Sequence, residues 1–403
     1  MEMETKGKKY SIQTMLTLIV IGSALTALIL SGLFVAYINS NSYEPEEEIY
    51  SDFYELIDII DNYFIGDFDL DEIIDHAKRA AVASLDDMWS FYMTPHEYNT
   101  FLATANNRHP GIGVSILYDE ETGGVRVVRV NRGSGAYYAG ILANDILVAV
   151  DDESIIGFSI DEIRDILQRP IGDTADVTVL RDGEYIVLSV EYKIVVVNPV
   201  SYAMLPGNIG HLILRNFDEG AGENFIDGVN ALIDMGAVAI IYDVRNNGGG
   251  RVTEVTKILD FLLPEGEIFI TVDRTGEENI TWSDEYWIDL PAVVLVNRHS
   301  YSGAEFFAAM LSEYDYAATV GEQTTGKNRM QSLIPLSSGG AINISTGHFV
   351  TRNRVDLFNI GGFTPGYIID MTDEELIAFA REELNIVDDP QLQKALSLLE
   401  NYR

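Results

Sequence analysis

Met15 to Ile38 is an uncharged run built mostly of Leu, Ile, Val, Ala, Met and Phe. As a helix it would be about 36 Å long, enough to cross a hydrocarbon core of about 30 Å. Lys6, Lys8 and Lys9 precede it, and Glu44, Glu46, Glu47 and Glu48 come after it. The positive-inside rule therefore puts residues 1–14 in the cytoplasm and the bulk of the chain outside. A cleaved signal peptide is the competing reading, but its apolar region would be shorter and would end in a clean A-x-A site. The pattern predicts an uncleaved, single-pass anchor over 15–38 in the cell membrane.

Residues 44–108 read as helical. Phe53, Leu56, Ile57 and Ile60 recur at helical spacing, as do Ile73, Ile74, Ala77 and Ala81. Nothing in this lead suggests chemistry. His109-Pro110-Gly111 marks a change to β pattern across 109–197, with strands over Val125–Val130, Ile146–Val150, Ala175–Leu180 and Tyr185–Tyr192. One helical stretch, Ile160–Gln168, interrupts them. This region resembles a PDZ domain, with Gly111-Ile112-Gly113-Val114 where that module has its carboxylate-binding loop. Successive N–H groups freed by glycine can hold a terminal carboxylate, and an open strand edge can pair with the tail behind it.

From Asn198-Pro199 the pattern alternates between strand and helix. The strand Ala237–Tyr242 runs into Asp243-Val244-Arg245-Asn246-Asn247-Gly248-Gly249-Gly250, and then into a helix with Val252, Val255, Ile258, Leu259 and Leu262. Val293–Val296, its loop and Gly303–Leu311 repeat the scheme. This predicts a partly parallel sheet in a core over 198–371, with ligands past the carboxyl ends of the strands. Helices over 372–403 pack on it, opened by a Thr372/Glu375 capping box and by Asp389-Pro390. The fold class is α/β multidomain.

Two reactive side chains fall just past apolar runs: Ser302 after Val293–Val296 and Lys327 after Ala317–Val320. Ser302 is the candidate nucleophile and Lys327 its general base. Lysine serves as a base only when neutral, so its pKa must fall by roughly three units from about 10.4. A dry site supplies that, with Met330 and Phe306 as apolar neighbours in sequence. Each residue has a bland reading: Ser302 with Glu305 is also a plain S-x-x-E capping box, and an isolated lysine usually lies in a solvated loop. Ser300 reads as a supporting hydroxyl, and His299 lies in the same tight loop. Gly248–Gly250 lacks a subsequent G-K-[ST], which argues against nucleotide binding.

Composition narrows the field. The chain has no cysteine, which excludes thiolate chemistry and disulfides. A formal net charge of −37 argues against nucleic acid and anionic membrane surfaces. The six histidines form no ligand-spaced cluster, so a metal is not expected.

S-L-D-D and Y-M-T-P in the lead, the PDZ domain, D-V-R-N-N-G-G-G, V-N-R-H-S-Y-S-G-A-E and T-T-G-K-N-R-M-Q, in this order, resemble the carboxyl-terminal processing peptidases, a Ser-Lys family, over nearly the whole chain from about Ile49. The resemblance implies that Ser302 is the nucleophile, Lys327 the base and Gln331 the residue orienting that lysine. It places oxyanion-hole N–H groups at Gly249 and Gly303. Gly248 stands where the family commonly has proline, and Asn328 replaces its usual glycine. The resemblance and the apolar N-terminal run together imply a membrane-anchored endopeptidase that cleaves exported polypeptides near apolar C-terminal tails. The PDZ domain would capture the tail or gate the site, and the resemblance implies that no cofactor is needed. A homo-oligomer or a regulatory partner stays open. The rival reading is a catalytically silent, membrane-tethered PDZ scaffold.

Overall fold

The computed structural model describes residues 47–402. The anchor expected over 15–38 lies outside them, and no helix among the described residues is long and apolar enough to cross a membrane. The chain divides into two compact units between Glu72 and Ile73. The first contains α1 (Glu47–Tyr63) and the opening turn of α2 (Leu70–Ala83).

The second unit begins with the rest of α2, then β1 (Phe91–Met93) and α3 (Pro95–Ala105). Thr94 and Glu97 close a full capping box on α3, with Pro95 in its first turn. The lead is thus not wholly helical. β1 is too short to show a period of its own and exists because it pairs with a strand far along the chain.

The chain enters the β-rich region through β2 (Arg108–Gly111). Next come β3 (Val114–Tyr118), β4 (Val125–Val130), α4 (Gly135–Ala139), β5 (Ile146–Val150), β6 (Glu153–Ser154), α5 (Ile160–Ile166), β7 (Thr174–Arg181), β8 (Glu184–Glu191) and β9 (Lys193–Val196). β2 and β9 pair antiparallel, so entry and exit are tied together. The sheet runs β3-β4-β5-β7-β8, which leaves β3 at one end. Its core is Val125, Val127, Leu147, Ile163, Val177 and Val179, all fully buried.

Beyond it lie β10 (Val200–Leu205), β11 (Ile209–Leu214), α6 (Ala221–Asp234), β12 (Ala239–Asp243), α7 (Val252–Leu262), β13 (Gly266–Asp273), β14 (Glu278–Ser283), β15 (Ala292–Val296), α8 (Gly303–Glu313) and β16 (Ala317–Gly321). β17 (Arg329–Pro335), β18 (Ala341–Val350), β19 (Tyr367–Ile368), α9 (Asp373–Ala380) and α10 (Pro390–Leu398) complete the chain. The main sheet runs β10-β11-β12-β15-β16-β19, and every pairing after β10–β11 is parallel. The expectation of a partly parallel sheet holds. β12 and β15 are buried at every position, which is why they read as unbroken apolar runs. Residues of α6, α7 and α8 share a core with one set of sheet residues, while Leu392, Ala395 and Leu396 of α10 share another with Ile241, Val293 and Leu295. A second sheet, β1-β18-β13-β14 with β17 also on β18, completes the unit.

One buried ion cluster ties the end of β12 to α10. Arg245 donates to both oxygens of Asp243 at 2.9 and 2.6 Å, to Asp389 Oδ2 at 2.8 Å and to Gln391 Oε1 at 3.2 Å. Burial alone would raise the Asp243 carboxyl, but Arg245 and His211 override it and hold it well below the usual carboxylate range. A depressed carboxyl stabilises the fold above its unfolded pKa of about 3.9, and that contribution is lost as pH falls further. Asp389→Ala leaves part of Arg245 unpaired in a dry site. It should cost about 3 kcal/mol at neutral pH in a urea titration, and a loss under about 0.5 kcal/mol would show that the cluster is solvated.

Candidate active site

Three parallel strands lie side by side, β12, β15 and β16, and each releases a loop at its carboxyl end. These are the Asp243–Gly250 loop, the Asn297–Ser302 loop and the loop that carries Lys327. The first two are stitched together by side chains. Asn297 Oδ1 accepts from Asn246 N at 2.9 Å, its amide donates to Asn246 Oδ1 at 2.7 Å, and Tyr301 N donates to Asn247 O at 3.1 Å. Ser300 is fully buried and its hydroxyl donates to Val244 O at 2.8 Å, the supporting role expected of it.

Ser302 heads α8 at φ 56°, ψ −121°, a region that costs a non-glycine residue roughly 1–3 kcal/mol. Its hydroxyl makes no full cap hydrogen bond, although it faces the Glu305 N–H in a capping-box arrangement. The turn between β15 and α8 thus presents the hydroxyl in the way a strained strand-to-helix elbow does. Glu305 supplies the other half of that arrangement, its Oε1 accepting from Ser302 N at 2.9 Å.

Glu305 also holds the lysine loop. Its Oε1 accepts from Lys327 N at 2.6 Å, and its Oε2 accepts from Gly326 N at 2.8 Å and from the Thr324 hydroxyl at 2.6 Å. The side chain is fully buried. Burial pushes its carboxyl up, and the four donors pull it back without cancelling the rise. The sequence presents Glu305 only as a helix cap; its second duty depends on a loop that no local pattern links to it.

Burial pushes the Lys327 ammonium below the ordinary lysine range, against the fields of Asp87 and Glu305. The rings beside the amine are those of Trp89 and Tyr301. Phe306 packs in the core on Phe269 and Phe349, whereas Trp89 lies under Lys327 Nζ, 4.3 Å from ring centre to nitrogen. Trp89 comes from the lead in which the sequence suggested no chemistry. Gln331 Nε2 donates to Arg329 O at 3.0 Å and to Ser345 Oγ at 3.3 Å. Among the described residues, no hydrogen bond joins Lys327 Nζ to Ser302 or Gln331.

Gly249 sits against the serine. Its φ is +87°, and a Cβ there would lie 2.8 Å from Ser302 Cβ and 2.7 Å from Gly303 N. Only glycine satisfies both constraints. Its N–H, however, donates to Asn247 Oδ1 at 2.8 Å. Gly303 N lies in the first turn of α8, where helix N–H groups lack intrahelical partners. In the β-rich region, Gly113 is also forced: its φ is +87°, and a Cβ would meet Ser134 Cβ at 2.2 Å. Ile112 is buried, and Val114 opens the end strand β3. No group of three or more His, Asp or Glu suited to a metal occurs among the described residues.

Glu305→Gln keeps the shape of the side chain but turns one acceptor into a donor facing two donors. It should lower stability by about 2–4 kcal/mol in urea titration. An unchanged midpoint would contradict the clamp.

Residues 208–369 match the model of peptidase family S41, and residues 126–181 match that of the PDZ domain. A carboxyl-terminal-processing protease of Synechocystis is 30% identical over 330 residues, covering 80% of this chain and 76% of that protein. The carboxy-terminal processing protease CtpA of Bacillus subtilis is 27% identical, covering 76% of this chain and 64% of its own. The crystal structure of a candidate S41 protease from Bacteroides fragilis shares the fold at TM-score 0.60 and 15% identity, covering 90% of this chain and 99% of that one. The chain belongs to peptidase family S41, among its carboxyl-terminal-processing serine proteases with a PDZ domain.

Proposed function

We propose that the protein is a membrane-anchored endopeptidase that cleaves exported polypeptides near apolar C-terminal tails, with Ser302 as nucleophile and Lys327 as general base. The observation that carries this reading is the Glu305 bridge. It joins the backbone N–H of Ser302, at a helix head, to the loop of a buried lysine whose ammonium is destabilised. Ser302 Oγ attacks the scissile carbonyl carbon and its proton passes to Lys327 Nζ. The oxyanion is received by Gly303 N–H at the positive end of α8. The C–N bond then breaks, the proton moves to the leaving amine, and the C-terminal fragment departs. Water, deprotonated by Lys327, hydrolyses the remaining ester.

Gln331 and Gly249 complete the site only after a local change. Gln331 must leave Ser345 to hold the neutral amine, and the Gly249 N–H must turn from Asn247 to reach the oxyanion. The Gly111–Val114 loop would take the tail carboxylate, and the free edge of β3 would pair with the tail. The 15–38 segment would hold the enzyme in the cell membrane with its catalytic part outside.

The test incubates the full chain in detergent with an unstructured protein ending in apolar residues and reads the products by mass spectrometry. Parent enzyme should cleave and Ser302→Ala should not; cleavage by the variant would remove Ser302 as nucleophile. Lys327→Arg should be as inactive as Lys327→Ala, since guanidinium cannot deprotonate. The parent's kcat/KM should rise with pH as Lys327 loses its proton, with a midpoint below the usual lysine pKa of about 10.4. A flat profile would contradict a lysine base.

A further inference from the structure

The candidate base is held by a segment that the reaction does not use. Lys327 Nζ lies 4.3 Å from the Trp89 ring centre and 5.8 Å from that of Tyr301, and the two rings are 6.1 Å apart. The second sheet brings these residues together. β18 lies between β1 and β17, and Asn343 pairs with Phe91 on one side and Leu333 on the other. Both flanking strands run antiparallel to β18, so the residues just before each converge at one end. Trp89 precedes β1 and Lys327 precedes β17.

The Asp87–Ser90 turn is itself fixed. Asp87 accepts from Trp89 N at 3.1 Å and from the Ser90 hydroxyl at 2.5 Å. Ser90 Oγ accepts from Ser345 N at 3.0 Å, and Asn343 Nδ2 donates to Trp89 O at 3.1 Å. Ser345 is also the residue whose hydroxyl receives Gln331 at 3.3 Å. One turn therefore touches the lysine through an indole and holds the strand on which the glutamine rests.

An indole face attracts an ammonium and offers a neutral amine nothing comparable. Asp87 and Glu305 favour the ammonium too, whereas burial opposes it, and Arg329 faces Asp87. We propose that Trp89 is a positioning residue that parks the Lys327 amine in its protonated form, so that acylation starts only when the amine leaves the indole for Ser302. This inference rests on Lys327 being the base.

Two readouts test it on the full chain. Carbon-13 NMR of ε-labelled lysine, with the signal assigned by its loss in Lys327→Arg, follows the titration of Lys327 without any turnover. Single-turnover acylation of Ser302 gives the pH limb of the reaction. In Trp89→Leu both should move to lower pH by about half a unit or more, and Trp89→Phe, which keeps a weaker aromatic face, should fall between. A changed rate with an unmoved titration would reduce Trp89 to packing, and a move to higher pH would make it a water-excluding wall; either overturns the proposal. If Trp89→Leu fails to fold, Trp89→Phe alone carries the comparison. Cleavage by Lys327→Ala would sink the base assignment separately, while the titration would still judge what Trp89 does to the amine.

Discussion

A carboxylate buried away from water must be satisfied by protein donors, and Glu305 is satisfied by four that belong to two loops. Ser302 N comes from the loop after β15, and Thr324, Gly326 and Lys327 from the loop after β16. The same two loops are also joined by the Arg298–Glu322 ion pair and by Thr325, whose hydroxyl donates to Arg298 O at 2.8 Å. Glu305 thus ties the backbone of the serine to the backbone of the lysine through one side chain at the base of α8. Burial raises the carboxyl and the donors lower it, so each donor favours the ionised form of the clamp. The bland reading of S-x-x-E as a helix cap and the catalytic reading describe the same atoms. Glu305 helps close the head of α8 by accepting the Ser302 N–H.

The parallel sheet provides what the clamp needs. Adjacent strands β12, β15 and β16 end at one level, so their loops emerge within reach of each other. The Arg245 cluster fixes the first loop from below by binding Asp243 to α10. The asparagine pair Asn246–Asn297 fixes it to the second. Gly249 lets that first loop approach the serine more closely than a residue with a Cβ could. The Gly249 N–H bound to Asn247, Gln331 bound to Ser345 and Lys327 over Trp89 together describe a site assembled in outline, with its proton donors and acceptors engaged elsewhere.

Much of this is legible in the chain. Buried parallel strands are unbroken apolar runs, and the polar loops after Val293–Val296 and Ala317–Val320 stand out against them, so Ser302 and Lys327 are visible without a structure. The features that stay hidden depend on long-range pairing. β1 has three residues and no period, and it is a strand only because β18 lies beside it. Trp89 therefore reads as part of an inert helical lead. Phe306 and Met330 are close to the amine in sequence, but helix geometry turns Phe306 into the core and sheet geometry brings Trp89 in its place. The commitment of Gly249 N–H to Asn247 cannot be read from a glycine triplet, because it depends on which way one peptide faces.

The most direct test of a Ser302–Lys327 mechanism is to find the covalent intermediate. The enzyme is mixed with a cleavable polypeptide, quenched in acid within the first turnover, and digested with trypsin. The peptide after Arg298, which contains Ser300, Ser302 and Ser312, is then sequenced by mass spectrometry. The expected result is an acyl group, the N-terminal product joined as an ester, on Ser302 alone and absent in Lys327→Ala. An acyl group on another residue, or one that forms on Ser302 at the parent rate without Lys327, would contradict the mechanism.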